Sequence, residues 1–456
     1  MSASTPSVGV DPNAHSPALK SAIAKASKHL MPMLVILYFV AFLDRTNIGF
    51  AEDALAMDRG ISQGAFALGA GIFFIGYAIF EIPSNLLLKK FGARFWLARI
   101  AITWGIVAAA FAFTTNDTMF IILRFLLGVT EAGLFPGVIM FLAEWFPNKV
   151  RVQMFAIFYL AQPFSQMIGA PLSGGLISFG DTVTPWHGWQ VMFFTEGMLA
   201  ILAGIAALFF LVNSPQKAKF LNQEEKDALT DVMAREDTVR TEDGPSGIWR
   251  AMSSWKVWYF TIIYFCLQIA VYGTTFYLPQ QVSGLIGQDV GWQVGLVSAI
   301  PWLVGLFACY IVGRNASTIR FRRNWGSLFY IFTGLSIFGS AWAGANNLPF
   351  VGILFITLAV ASFLSVGPIT WSYPTAFLTG TAAAAGIGLI NSLGNLGGFV
   401  APIMRTSFNE TAPTESGIWG IVSLGVFAFL AAAMMYCTRF FKARADALLE
   451  EAPPVH

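Results

Sequence analysis

The stretch FLDRTNIGFA, residues 42–51, sets Asp44 and Arg45 side by side at the end of an uncharged apolar run that begins at Leu30. An ionised side chain at the centre of a bilayer costs at least about 2.5–3.5 kcal/mol on insertion scales, so a chain that keeps two of them must give each a partner or a watery cavity. Everything then turns on whether the run crosses a membrane. Of 456 residues, 56% are hydrophobic and 11% charged, against about 25% charged in a soluble domain. The apolar character comes in runs of about twenty residues, the helix length that crosses roughly 30 Å of hydrocarbon. Alternating segments of about ten, as in an outer-membrane barrel, are not the pattern. The sequence describes an all-α membrane protein.

Spans are expected near 31–52, 66–88, 95–113, 118–143, 152–178, 190–212, 255–280, 291–313, 325–343, 349–374, 379–403 and 416–438. These twelve transmembrane helices divide into a tail (1–30), a six-helix bundle (31–212), a linker (213–254), a second six-helix bundle (255–438) and a C-terminal tail (439–456). With both termini in the cytoplasm, all but four of the 27 Lys and Arg lie on the cytoplasmic side or at its edge, as basic loops should. The four are Arg45, Arg59, Arg124 and Arg405. Within the linker, Asn222 followed by Glu225 predicts the capped start of a solvated helix.

The halves repeat one another. NLLLKKFGARFW after span 2 answers VGRNASTIRFRRN after span 8, and GAPLSGG (169–175) late in span 5 answers GGFVAP (397–402) late in span 11. Small residues let helix backbones approach, and proline is tolerated where a neighbouring helix satisfies the freed carbonyl. Internal symmetry of this kind is the mark of transporters.

FLDRTNIGFA together with GYAIFEIPSNLLLKKFGAR (76–94), RFLLGVTEAGLFPG (124–137) and INSLGNLGGFVAP (390–402) resembles the major facilitator superfamily, within its anion:cation symporter family of organic-acid permeases. The likeness covers roughly residues 30–440. It implies the major facilitator fold of two pseudo-symmetric bundles, alternating access, and a small carboxylate substrate such as tartrate, phthalate or 4-hydroxyphenylacetate. One departure stands out: Lys89 and Ser317 occupy loop positions where the family usually has aspartates, so a gating salt bridge there is not expected.

Arg45 and Arg124 suit an anionic substrate, because guanidinium stays charged and grips a carboxylate through two parallel hydrogen bonds. Asp44 and Glu131 suit proton coupling, since burial and a nearby arginine act oppositely on a carboxyl group. Arg124 and Glu131 are two helical turns apart and share one face of span 4. In this reading Arg45 meets the substrate while its neighbour Asp44 carries the proton. By resemblance, Tyr77, Gln162, Gln268, Trp371, Ser372, Asn391 and Asn395 line the substrate site. Glu81 and Glu196, with no arginine beside them in sequence, are expected to be structural.

The remaining features narrow the function class. A net charge of +2 gives nucleic acid no purchase. The histidines, His15, His29, His187 and His456, sit in tails or a loop, and Cys266, Cys309 and Cys437 are far apart with no CxxC spacing, so neither catalysis nor a metal or other cofactor is indicated. The expectation is a monomeric proton symporter importing a small organic anion through the bacterial inner membrane. Anion exchange and proton-independent uniport stay open as alternatives, with a transporter-like sensor as a remote one.

Overall fold

The computed structural model describes residues 16–241, 253–315, 319–377, 380–411 and 418–438. Residues 1–15 and 439–456 of the two tails, and Ser317, lie outside the described residues. Among those described, every regular element is helical.

Eleven helices are long and apolar enough to cross a membrane: Pro17–Arg59, Gln63–Phe91, Ala93–Phe113, Asp117–Trp145, Gly188–Phe210, Trp255–Thr275, Trp292–Val312, Arg322–Ala345, Pro349–Pro374, Gly386–Thr411 and Ile418–Cys437. They are spans 1–4 and 6–12. Span 5 is helical over Asn148–Tyr159 and Ala161–Val183 but does not reach the same apolarity, because Gln162, Ser165, Gln166, Pro171 and Ser173 interrupt it. It bears these polar groups by lying against spans 1, 6 and 8. Ser165 Oγ, for instance, donates to the Phe39 carbonyl at 2.6 Å.

Several spans are broken, and the breaks carry the chemistry. Span 1 runs Pro17–Thr46 and resumes as Ile48–Arg59; span 7 runs Trp255–Thr275 and resumes as Leu278–Ile286. Both short continuations are closed by a glycine at φ +65°, Gly60 and Gly287, in the left-handed conformation that favours glycine. This repeats one feature in both halves. Span 4 breaks after Glu131, where Gly133 at φ +90° starts Leu134–Trp145, and span 11 breaks between Asn395 and Gly397. Discontinuous helices of this kind leave backbone groups and helix ends facing the protein interior, where transporters build their sites.

Two main apolar cores form. One draws on residues 19–233 and admits Tyr272, Phe276 and Tyr277 of span 7; the other draws on residues 257–435. The halves meet along span 5 against span 8 and span 2 against span 11. Gly174 faces the backbone of Gly291, and Gly295 that of Ala170, so closely that a side chain at either glycine would collide with main chain. At the end of the molecule away from the linker, the Gln280 side chain donates to the Gly49 carbonyl, Trp292 N donates to Ser178 Oγ at 2.9 Å, and Phe66 packs on Tyr277. We call this the far end; the linker and the start of span 1 define the tail end.

The tail end is tied by one carboxylate. Glu225 opens the linker helix Gln223–Thr241, and its Oε1 accepts from Lys25 Nζ at 2.7 Å and Ser21 Oγ at 2.6 Å on the first turns of span 1. The capping pair expected from sequence is present: Asn222 N donates to Glu225 Oε2 at 2.9 Å while Glu225 N donates to Asn222 Oδ1 at 2.8 Å. Lys25, Ser21 and the Asn222 amide hold the Glu225 carboxyl down to about 2. A carboxyl lowered by folding adds stability above its unfolded value, about 4.3, and that contribution fades as pH falls toward about 2. Hydrogen exchange over residues 223–234 should therefore be faster in Glu225→Gln than in wild type at pH 7. Between pH about 4 and about 2 the difference should close, as wild type loses its ionised anchor.

Candidate functional site

Adjacent helical residues point about 100° apart, and this separates the two charges of FLDRTNIGFA. Arg45, in the last turn of Pro17–Thr46, forms an ion pair with Glu131 at the end of Asp117–Glu131. Asp44 points away from it, and its Oδ2 accepts from Trp104 Nε1 of span 3 at 2.9 Å. Both residues of the ion pair thus sit in the last turn of a helix that breaks just beyond them. A cation at a helix C-terminus also meets the negative end of the helix dipole.

Arg45 reaches the other half as well. Its NH1 donates to Tyr272 OH of span 7 at 3.3 Å, and its guanidinium lies 4.7 Å from the Phe42 ring centre, 5.0 Å from Phe73 and 5.5 Å from Tyr77. Glu131 Oε2 and Arg45 Nε are buried without a hydrogen-bond partner. The pair thus retains one open acceptor and one open donor.

Arg124 is placed differently. It is buried, its Nε donates to the Gly69 carbonyl at 3.1 Å and its NH2 to Ala70 at 3.4 Å, and its guanidinium lies 5.3 Å from the Phe73 ring centre. Its hydrogen bonds go to the main chain of span 2, a tie between helices.

The second half contributes neutral groups. Gln268 Nε2 donates to Asn395 Oδ1 at 2.6 Å, and Asn395 Nδ2 donates to Asn391 Oδ1 at 3.2 Å, so three of the expected residues form one amide chain. Trp371 packs edge-on against Tyr264 with ring centres 4.9 Å apart. Ser372 Oγ donates within its own helix to the Ile369 carbonyl at 2.7 Å. Gln162 is half-buried on span 5. One turn further along, Gln166 exchanges hydrogen bonds with Thr46, the neighbour of Arg45, at 3.0 and 3.2 Å.

Four residues outside the expected set enter the site: Tyr272, Gln166, Trp104 and Ser392. Gln166 could have been found as the i+4 partner of Gln162 on one helical face. Ser392 Oγ of span 11 donates to Glu81 Oε2 of span 2, so Glu81 joins the two halves rather than tying one of them. Glu196, also expected to be structural, accepts from Asn47 Nδ2 and Ser173 Oγ, each at 2.7 Å.

A sequence profile of the Major Facilitator Superfamily matches residues 34–402. The inner membrane transport protein RhmT of Escherichia coli strain K12 is 38% identical over 428 residues, covering 93% of this chain and 97% of that protein. A candidate tartrate transporter of Agrobacterium vitis is 39% identical over 395 residues, covering 87% and 86% respectively. Among solved structures, the E. coli xylose transporter XylE in a partially occluded inward open conformation superposes with a TM-score of 0.71 at 16% identity, over 92% of this chain and 98% of that one. At that identity the likeness speaks to fold, and the fold agrees with the profile. The chain belongs to the major facilitator superfamily: it is a multi-pass membrane transporter and not an enzyme.

Proposed function

We propose that this transporter imports a small organic carboxylate across the bacterial inner membrane by proton symport, with both termini in the cytoplasm. The observation that carries the reading is the Arg45–Glu131 ion pair, which stands where span 7 of the second half touches the first through Tyr272. A substrate carboxylate that takes Arg45 displaces Glu131, and a carboxylate left buried without its cation is neutralised by a proton. Anion and proton then load together. Departure of the anion returns Arg45 to Glu131, which sheds the proton. Asp44 offers a second protonatable group on the opposite side of the same helix turn. The name of the Agrobacterium relative supports an organic acid as cargo.

Arg45 supplies a cation that meets the second half, while Gln268, Asn391 and Asn395 supply amides. The charged end of the substrate docks at Arg45, with Tyr77 alongside. Its hydroxylated or aromatic remainder reaches the amides and Trp371. With the linker and both termini in the cytoplasm, the far end is the outer face, and its contacts between halves support a closed outer side.

Three outcomes test the proposal. Cysteines at positions 183 and 286 should react with an impermeant reagent from outside intact cells, whereas one at 230 should not; external labelling at 230 reverses the orientation. In proteoliposomes, Asp44→Asn and Glu131→Gln should lose proton-driven accumulation, with at least one retaining exchange between preloaded vesicles and medium, since an amide mimics the protonated acid yet releases nothing. Accumulation surviving in both variants rules the coupling out. Arg45→Lys keeps charge but loses the planar fork, so carboxylate uptake should fall by about tenfold or more. Asn391→Ala should instead change the order of preference among carboxylates. Neutral sugars or amines carried as well as carboxylates would refute the substrate class.

A further inference from the structure

Glu196 lies fully buried in span 6, and its two oxygens serve two other elements. Oε2 accepts from Asn47, the residue at which span 1 breaks, and Oε1 accepts from Ser173 of span 5. Both partners adjoin the far-end seal. Two residues beyond Asn47, the Gly49 carbonyl takes the Gln280 side chain of the second half. Immediately after Ser173, Gly174 packs on the Gly291 backbone, and five residues later Ser178 accepts from Trp292 N. One carboxyl group therefore holds the two pieces of the first half that close against the second.

Its titratable neighbour is Asp44, three residues before Asn47, which feels the charge of Glu196 and, more weakly, that of Glu131. Asp44 Oδ1 and Asn47 Oδ1 are both buried without a hydrogen-bond partner. Both are acceptors, so what this pocket is short of is a donor hydrogen, which a protonated Asp44 supplies. No described cation lies within ion-pair distance of Asp44 or Glu196. Two carboxylates in such a pocket cannot both stay ionised, and a proton is what relieves them.

Among the described residues, Ser173 and Asn47 are the polar groups that act on Glu196, and no further charge bears on it. Span 3 presents Trp104, and beside Glu196 the small residues Gly105 and Ala109 meet Gly197. Of the charged residues after the span 1 break, Glu52 faces Arg405 and Tyr277 and Asp53 faces Asp289, all of the second half, while two turns from Glu196 Asp58 accepts from Trp189 Nε1 at 2.8 Å and stands 3.2 Å from His187 Nδ1, and Arg59 lies over the Trp189 ring.

We propose that Glu196 is a third proton-handling residue, a positioning residue that links the proton shared with Asp44 to the far-end seal. The inference rests on the proton-coupled reading above and adds to it. When the seal closes, Asn47 and Ser173 bring their donors to Glu196, which favours the ionised carboxylate and expels its proton toward the tail end. When the seal opens the donors withdraw, and Glu196 takes a proton from the far side. Proton uptake and release are thereby assigned to opposite faces.

The test uses the full chain in right-side-out membrane vesicles with Cys266, Cys309 and Cys437 replaced by serine. A cysteine at Ser178, inside the seal, is reacted with an impermeant maleimide across pH 5–8, and its rate is normalised to a cysteine at the exposed Val183. Wild type should label faster as pH falls. Glu196→Gln should flatten that profile, and Glu196→Asp should restore it. Ser173→Ala removes a donor to the ionised form, so it should move the midpoint upward by about one pH unit, a shift that loss of mere packing does not produce. If Glu196→Gln fails to fold, the Ser173→Ala midpoint decides. A wild-type profile in Glu196→Gln, or an unmoved midpoint in Ser173→Ala, overturns the assignment. Wild-type protein that accumulates carboxylate independently of a proton gradient overturns the coupling reading and this inference with it; coupled wild type with an unchanged Glu196→Gln profile overturns the role of Glu196 alone.

Discussion

The Arg45–Glu131 ion pair is the constraint around which the first half is arranged. A buried pair is expensive to leave half-made: removing one partner of such a pair costs about 3–5 kcal/mol, because the other charge remains in a medium that cannot solvate it. The chain accordingly ends two helices where the pair forms, at Thr46 and at Glu131, and surrounds the guanidinium with Phe42, Phe73 and Tyr77. Aromatic faces are among the few apolar surfaces that attract a cation. Tyr272 makes the pair sensitive to the other half, since its hydroxyl shares Arg45 across the interface.

Charge is divided unevenly between the halves, and the division has a mechanical consequence. The first half holds Asp44, Arg45, Glu81, Glu131 and Glu196 in its interior, while the facing part of the second half holds the Gln268–Asn395–Asn391 chain and Ser392. Interhelical hydrogen bonds between neutral groups in membranes average about 0.6 kcal/mol. Neutral contacts between the halves, Gln280 to Gly49 and Trp292 to Ser178, can be broken and remade during rocking of one bundle against the other, whereas an ion pair split across the interface could not be without a large penalty. Glu81 with Ser392 and Arg45 with Tyr272 differ in kind, each an ionisable group bonded to a neutral hydroxyl across the interface.

Helix geometry turns one dipeptide into two pockets. Asp44 and Arg45 adjoin in sequence, yet Asp44 looks toward Trp104 and the Glu196 region while Arg45 looks toward Glu131 and the second half. In the proposed mechanism a rotation or unwinding at Asn47 moves both at once, a shared lever one helical turn long.

By itself, the sequence determined that the chain is all-helical, that it crosses a membrane many times and that its two halves repeat, because each of these follows from local composition and periodicity. Runs of about twenty apolar residues have few other uses. It also singled out Arg45 and Glu131, since a charged group in a span is conspicuous against lipid-like neighbours, and the family resemblance added the Gln268, Asn391 and Asn395 amides. Pairing was another matter. Adjacency left Asp44 and Arg45 without named protein partners, and only tertiary structure, which sets span 4 against span 1, gave Arg45 to Glu131. The same holds for Arg124, spent on the Gly69 and Ala70 carbonyls, and for Tyr272, Ser392 and Glu196, whose partners lie 227, 311 and 149 residues away. Sequence records which groups need a partner in a medium of low polarity; which partner each one finds depends on contacts between distant helices, and no local pattern encodes those.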